Sequence, residues 1–246
     1  MTVLEVCLDD IQGAVIAERC GADRIELCAN LGAGGTTPSI GTVSTVLGNV
    51  QRIGVQVLVR QREGDFVYSA MEVDAMCADI EAIRALGAPH GVEVGFVIGA
   101  LTPEGTIDRD AVSRLMRAAG AASVTFHRAF DQAQHTGEAL ETLIDLGVAR
   151  VLTSGGAPTA EAGVGALASL VEQSAGRITI LAASGIRPHN AASIVARSGV
   201  TEVHLRAGAA TASAGAPNEY DPGSRMTTSP EMIEAMLRAL GRRTAL

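Results

Sequence analysis

The sequence predicts one α/β domain folded as a (β/α)8 TIM barrel. Eight short runs rich in β-branched residues alternate with amphipathic helical patterns along the 246 residues, an arrangement typical of parallel α/β architectures. Several runs alternate apolar and polar residues, whereas the strands of a doubly wound sheet are buried on both faces and read as continuous apolar runs. No GxGxxG motif follows the first run, which further disfavours a dinucleotide-binding sheet.

The strands and helices can be placed in chain order. Several helical patterns end in Leu-Gly or Ala-Gly just before the next strand, as expected for a glycine C-cap followed by a short loop. The predicted strands cover residues 3–7, 24–28, 55–60, 95–99, 123–127, 150–154, 178–183 and 202–206.

The chain reads as a single domain over 1–246, because no linker or charge run divides it. Its strand and helix core is predicted at 3–207. A variable loop rich in Ala, Gly, Ser and Pro follows at 207–228. A C-terminal helix is predicted at 230–241, where a Ser-Pro pair supplies the N-cap and the first helical residue.

Composition excludes several classes of function. The formal charge is −8 and there is no basic block, which argues against a nucleic-acid partner and against an anionic membrane surface. The chain contains no lysine, so it cannot form a lysine Schiff base. No apolar stretch reaches the roughly 18 residues of a membrane span. The four cysteines do not resemble a disulfide framework, and we expect a cytoplasmic protein that keeps them reduced.

Polar side chains occupy one alternating face of the predicted strands. In a barrel the apolar face meets the outer helices and the other face enters the lumen. Most of the polar residues lie at the carboxyl ends of strands, where barrel enzymes and binding proteins place their sites. This face carries Glu5, Cys7, Glu26, Cys28, Gln56, Arg60, Thr125, His127, His204 and Arg206.

The first two strands share a Glu-x-Cys pattern. Cys7 and Cys28 can lie at similar heights on neighbouring strands, which are about 4.8 Å apart. Two thiolates at that distance could hold Cu(I), the ion that soft ligands select. They could also form a disulfide, or be inert side chains that fill the top of the barrel. Glu5 and Glu26 lie one alternation deeper than the cysteines, and a buried carboxylate needs a partner.

Arg60 offers these carboxylates a partner at the end of the third strand. His127 and His204 end the fifth and eighth strands, so an arginine, two imidazoles and the carboxylates should converge in the lumen. Such a group can bind an anion and move a proton. Glu26 and His127 are then candidate catalytic acid/base residues with Arg60 beside them. A purely structural ion-pair network is the alternative.

Three loops at the same end of the barrel carry further candidates for binding an anion. The loop RQREGDFVYS after the third strand has charged groups suited to a carboxylate or phosphate. The motif TFHRAFD places an arginine directly after His127, and Asp131 could pair with that arginine. The glycine-rich turns LTSGG and LAASGI could bind phosphate on backbone N–H groups, or could simply close βα loops. The candidates are Arg62, Asp65, Arg128, Ser154, Gly155 and Gly185.

These motifs together resemble the CutC family of copper homeostasis proteins. The match rests on EVC, GADRIELC, GGTTPS, VLVRQREGDFVYS, TFHRAFD and RVLTSG, which occur in that order. The resemblance implies a (β/α)8 barrel, a cytoplasmic location and copper bound through the thiols of Cys7 and Cys28. The sequence departs from the family pattern at HLRAGAA, where Arg206 would make the lumen more positive and favour an anionic ligand.

Two hypotheses of function follow. The first is a copper homeostasis protein that binds Cu(I) without turnover. The second is a TIM-barrel isomerase, aldolase or hydrolase that acts on a small phosphorylated or carboxylated metabolite. The expected partner is accordingly a copper ion or a small anionic molecule, and a homo-oligomer is left open.

Overall fold

The structure, a computed structural model, describes residues 1–89 and 91–242. His90 and residues 243–246, which fall in the predicted 1–246 domain, lie outside that description. Eight parallel strands pair in chain order, and the eighth pairs with the first to close a barrel. The predicted (β/α)8 TIM barrel is thus confirmed. No helix among the described residues is long and apolar enough to cross a membrane.

The elements alternate as the sequence predicts, with strand ends that differ from the prediction by one or two residues. The barrel strands are β1 Val3–Leu8, β2 Arg24–Leu27, β3 Gly54–Leu58, β4 Val94–Ile98, β5 Val124–Phe126, β6 Arg150–Thr153, β7 Thr179–Ala182 and β8 Glu202–Arg206. The helices are α1 Ile11–Cys20, α2 Ile40–Leu47, α3 Ala70–Ala85, α4 Arg109–Ala119, α5 Thr136–Asp145, α6 Val164–Ser174, α7 Ala191–Ser198 and α8 Pro230–Ala239.

Local signals in the sequence set where helices start and stop. Ser229 accepts a hydrogen bond from the backbone N–H of Met232, so it caps α8 as expected for a residue before a proline at the first helical position. Gly21 and Gly199 end α1 and α7 with positive φ angles, a conformation that glycine adopts without steric cost. These caps hold the short loops that return the chain to the barrel.

The tract at 207–228 is more ordered than the predicted loop. It forms a two-stranded antiparallel ribbon from β9 (Gly208–Ala212) and β10 (Ser224–Thr228). The carboxylate of Asp10 accepts hydrogen bonds from the backbone N–H and the hydroxyl of Thr228, at 2.7 and 3.1 Å. The small residues of this ribbon show no clear apolar alternation, so the sequence gives no strand signal here. Backbone pairing and the contact with Asp10 hold the ribbon in place.

A buried network of charges crosses the amino-terminal half of the lumen. The guanidinium of Arg24 donates to the carboxylates of Glu5 and Glu202, and Arg150 lies 3.2 Å from Glu202. Glu5 and Arg24 are almost completely buried, and the alternation of opposite charges offsets the cost of removing them from water. The network therefore ties β1, β2, β6 and β8 together across the barrel.

Replacing the central cation of this network should destabilise the barrel. We expect Arg24→Met to lower the free energy of unfolding by about 3–5 kcal/mol, because Glu5 and Glu202 lose a buried partner. The matched control is Arg238→Met, since Arg238 is largely exposed and its nearest carboxylate, on Glu234, is 3.6 Å away. The control should change the free energy by about 0.5 kcal/mol or less. Urea unfolding measures both, and equal losses would contradict this account.

Candidate functional site

A cavity of about 160 Å³ opens at the carboxyl-terminal end of the barrel strands. Residues from both sides of the lumen line it. We call Cys7, Glu26, Cys28 and His204 the thiol wall, and Arg60, His127 and Arg128 the basic wall. Leu31, Leu58, Phe66 and Leu152 supply the apolar lining between them.

The two cysteines of the thiol wall are in contact. Their sulfurs are 3.9 Å apart, and both side chains are buried. The hydrogen bond from Cys28 lowers the pKa of the Cys7 thiol to about 5, against the opposing effect of burial. Burial and the same hydrogen bond raise the pKa of Cys28 well above its ordinary value. These opposite shifts favour the arrangement in which Cys28 donates the hydrogen bond and Cys7 carries the negative charge.

Glu26 and His204 lie beside Cys7. The strand register places Cys7 opposite Glu26 on β2, and the ligand atoms of Cys7, Glu26 and His204 all lie within 4.8 Å of one another. The sequence pattern predicts acid/base and anion-binding roles for Glu26 and His204 and does not group them with a thiol. Strand alternation shows that these residues share a face. The register between β1 and β2, which the sequence does not give, places Glu26 next to Cys7 as well as beneath Cys28.

His204 bridges this wall to the buried charge network. Its Nδ1 is 2.8 Å from Oε1 of Glu5, and its Nε2 is 3.7 Å from Oε2 of Glu26. Burial alone would lower the pKa of His204, but hydrogen bonds to Cys7 and Glu5 outweigh it and raise that pKa. Burial and the Cys7 thiolate raise the pKa of Glu26. A cationic ring therefore lies between the Glu5 carboxylate and the thiolate.

The buried glutamates do not take Arg60 as their partner, contrary to the sequence expectation. Glu5 is paired with Arg24 and His204 instead. Arg60 follows β3 by two residues, which places its guanidinium above the layer of Glu5 and Glu26. There it donates to backbone carbonyl oxygens. The pattern RIELC also places Arg24 on the same face as Glu26, and this is the sequence signal from which the partner of Glu5 could have been found.

His127 presents an unpaired donor at the basic wall. Its Nδ1 accepts a hydrogen bond from the backbone N–H of Ala129 at 3.1 Å, so the ring proton resides on Nε2. That Nε2 has no hydrogen-bond partner among the described residues. The ring packs over Gly99, where a Cβ atom would lie 2.2 Å from Cε1 of the imidazole. Burial and the charge of Arg60 lower the pKa of His127 to about 3, which keeps the ring neutral.

Arg62 and Asp65 form an internal contact of their loop, outside the cavity. Arg62 donates to Glu72 at 2.6 Å and lies 3.1 Å from Asp65, and its guanidinium stacks over the ring of Tyr68 at 5.3 Å. Two carboxylates therefore already compensate Arg62. In the same loop Phe66 reaches the cavity and contacts the His127 ring at a centroid distance of 4.9 Å, a contribution that the sequence analysis missed.

The backbone N–H groups of the turn after β6 bind a side-chain carboxylate of the protein itself. The carboxylate of Asp131 accepts hydrogen bonds from the backbone N–H groups of Ser154 and Gly156, at 3.1 and 3.0 Å. Arg128, which lines the cavity, donates to the same carboxylate at 2.8 Å. The backbone N–H groups of the predicted phosphate cradle are thus already used: Ser154 donates to Asp131, and Gly155 donates to the hydroxyl of Thr153 at 2.9 Å.

Two other candidates lie away from the cavity. Gly185, after β7, accepts a hydrogen bond from the side chain of Asn190 through its carbonyl oxygen. Arg206 reaches the outer rim, where its Nη2 is 3.7 Å from Oδ1 of Asp9 and its side chain lies against the ribbon residue Gly208. Neither residue adds positive charge to the cavity.

Comparisons with known proteins agree with this architecture. The family model described as CutC family matches residues 2–209. A CutC family protein from Chromobacterium violaceum is 41% identical, with 97% of this chain and 98% of the relative covered. The human copper homeostasis protein cutC homolog is 46% identical, with 83% of this chain and 73% of the relative covered.

Comparison with solved structures finds a CutC protein and other (β/α)8 barrels. A CutC protein from Streptococcus agalactiae is 30% identical with a TM-score of 0.76, and the match covers 83% of this chain and 98% of that one. Phosphoribosyl anthranilate isomerase from Thermococcus kodakaraensis matches with a TM-score of 0.60 at 15% identity, over 98% of this chain and 99% of that one. At that identity the likeness concerns the fold alone.

The neutral state of His127 should make the stability of the protein depend on pH. As pH falls below about 6.5, the unfolded imidazole takes up a proton while the folded one, with a pKa of about 3, does not. Stability is therefore lost as pH falls from about 6.5 towards 3, and this residue alone should cost about 2 kcal/mol between pH 7 and pH 5.

Urea unfolding of a His127→Asn variant measures this contribution. The wild type should lose about 2 kcal/mol more between pH 7 and pH 5 than the variant does. The control is His189→Asn, at an exposed position, which should keep the wild-type pH dependence. An unchanged pH dependence in His127→Asn would show that folding does not lower the pKa of His127.

Proposed function

The chain belongs to the CutC family, and from this premise we propose that it serves copper homeostasis in the cytosol by binding Cu(I) through Cys7 and Cys28. The ion is its cargo, taken up and released without chemical turnover. The human relative, named a copper homeostasis protein, supports the copper role. The thiol ligands support the cytosol, because reducing conditions keep such thiols available.

The observation that carries the proposal is the 3.9 Å separation of the two sulfurs. Metal–thiolate bonds are about 2.3 Å long, so one ion can contact both sulfurs with little movement of either side chain. Thiolates are the soft ligands that select Cu(I). Both sulfurs lie in the lining of one cavity that opens at the end of the barrel, which gives an ion a path to them.

The rest of the thiol wall supports the sulfurs in two ways. His204 is oriented by the 2.8 Å contact with Glu5, and it places positive charge next to Cys7, which stabilises the thiolate. Glu26 offers a carboxylate oxygen within 4.8 Å of the Cys7 sulfur. Its hard oxygen suits Cu(I) less well than sulfur does, so we assign Glu26 and His204 to positioning and charge balance.

Family membership supports copper handling over the enzymatic alternative. The chain has no lysine for Schiff-base chemistry, and its likeness to isomerase and aldolase structures is confined to the fold. Arg62, which that alternative needed for holding a substrate anion, is compensated by carboxylates of its own loop.

Loss of both thiols should abolish tight Cu(I) binding. We expect Cys7→Ser/Cys28→Ser to lower Cu(I) affinity by more than about 100-fold, since even partners that only orient a ligand can cost 10- to 100-fold. Anaerobic competition with a colorimetric Cu(I) chelator measures this affinity.

The matched control removes the other two thiols. Cys20 lies on α1 and Cys77 on α3, outside the cavity lining. Cys20→Ser/Cys77→Ser should therefore bind Cu(I) like the wild type. Unchanged affinity in Cys7→Ser/Cys28→Ser, or an equal loss in the control, would refute the proposed ligands.

A further inference from the structure

We propose that the basic wall is a second binding site, which takes the carboxylate group of a small organic acid through Arg60 and His127 and does so without copper. This site goes beyond the proposed Cu(I) function, because none of its binding groups is a thiol-wall residue.

Arg60 is a buried cation without a carboxylate partner among residues 1–89 and 91–242. Its residue surface is 6% exposed, and it lines the cavity. Nη1 and Nη2 donate to the carbonyl oxygens of Gly35 and Gly64, each at 2.9 Å, and Nε has no partner in the part of the chain that the structure describes. Carbonyl dipoles hold the guanidinium in place but leave its charge uncompensated. A buried charge in that state is costly unless an anion joins it.

His127 supplies a second donor to the same space. Its Nε2–H is buried and unpaired within the described residues, and such a donor costs about 1–3 kcal/mol. Arg60 and His127 both contact the Phe66 ring, at 5.0 and 4.9 Å from its centroid. Burial and the charge of Arg60 also lower the pKa of the imidazole, so the ring stays a neutral donor beside the guanidinium. A carboxylate accepts hydrogen bonds from both donors at once.

The charges around Arg60 are balanced in a way that leaves one positive charge without a partner on the basic wall, among the residues that the structure describes. Asp131 is a carboxylate on the basic side, and it is compensated by Arg128 and by the N–H groups of the β6 turn. Glu26 lies across the cavity on the thiol wall, next to the cationic ring of His204. Arg60 is thus the cation of the basic wall that lacks a countercharge in the described chain.

The dimensions and lining of the cavity favour an organic acid over phosphate. A volume of about 160 Å³ is roughly five times the 30 Å³ of one liquid water, enough for a small molecule with a short carbon body. Leu58, Phe66 and Leu152 provide apolar contacts for that body. Barrels that bind phosphate commonly use backbone N–H groups of glycine-rich turns, and in the turn after β6 those groups are given to Asp131.

Isothermal titration of the copper-free, reduced protein tests the site with acetate, pyruvate, butyrate and inorganic phosphate as probes. We expect saturable binding of at least one of the three monocarboxylates and no binding of phosphate. His127→Asn should weaken that binding at least 10-fold, and Arg60→Gln should remove it. Arg62→Gln is the matched control and should bind like the wild type, because Arg62 is paired within its own loop.

Two further measurements keep the result interpretable. Arg60 also holds two loops through the carbonyl oxygens of Gly35 and Gly64, so Arg60→Gln could fail to fold. In that case the site is tested by the affinity of His127→Asn and by a shift of the wild-type His127 ¹⁵Nε2 resonance when a carboxylate is added. Cys7→Ser/Cys28→Ser should retain carboxylate binding, so this site and the Cu(I) site can fail separately. The proposal would be overturned if none of the three acids bound saturably, or if His127→Asn bound them as tightly as the wild type does. It would also be overturned if phosphate bound as tightly as a carboxylate.

Discussion

The ionised carboxylate of Glu5, buried at the centre of the barrel, is the constraint on which the rest of the lumen depends. Strand register places Glu5 beside Arg24 on one neighbouring strand and His204 on the other. Burial alone would raise the pKa of Glu5, but the hydrogen bond from His204 and the charge of Arg24 outweigh it and lower that pKa to about 2. One carboxylate thus ties the structural network below to the thiol wall above.

The same arrangement divides the cavity by charge and by ligand chemistry. On the thiol wall, Glu5 holds the cationic His204 ring against the Cys7 thiolate, so soft and negative ligand atoms meet at one place. On the basic wall, Arg60 and the neutral His127 ring present hydrogen-bond donors beside an apolar surface. The proposed Cu(I) ion and the proposed organic anion would therefore contact different residues of one opening, and either set of residues can be substituted without altering the other.

The sequence predicts the barrel and most of the cavity because strand alternation directly reports which side chains enter a lumen. Alternation puts Cys7, Glu26, His127 and His204 in one lumen, as the structure shows, but it does not supply the register that puts Glu26 next to Cys7. Without that offset the pattern wrongly pairs Arg60 with the glutamates. Loop side chains escaped prediction for another reason: Asp131 fills the β6 turn through contacts between distant residues, which no local pattern encodes.

Copper-edge X-ray absorption on the Cu(I)-loaded Cys20→Ser/Cys77→Ser variant would identify the ligand atoms of the proposed Cu(I) site. Cys7 and Cys28 are the only thiols left in that variant, so sulfur ligands can come only from them or from methionine. If Cys7 and Cys28 both bind the ion, we expect two sulfur scatterers at roughly 2.3 Å, the length of a metal–thiolate bond, and fewer after the additional change Cys28→Ser. A first shell made only of nitrogen and oxygen, or one that keeps both sulfurs after that change, would contradict it.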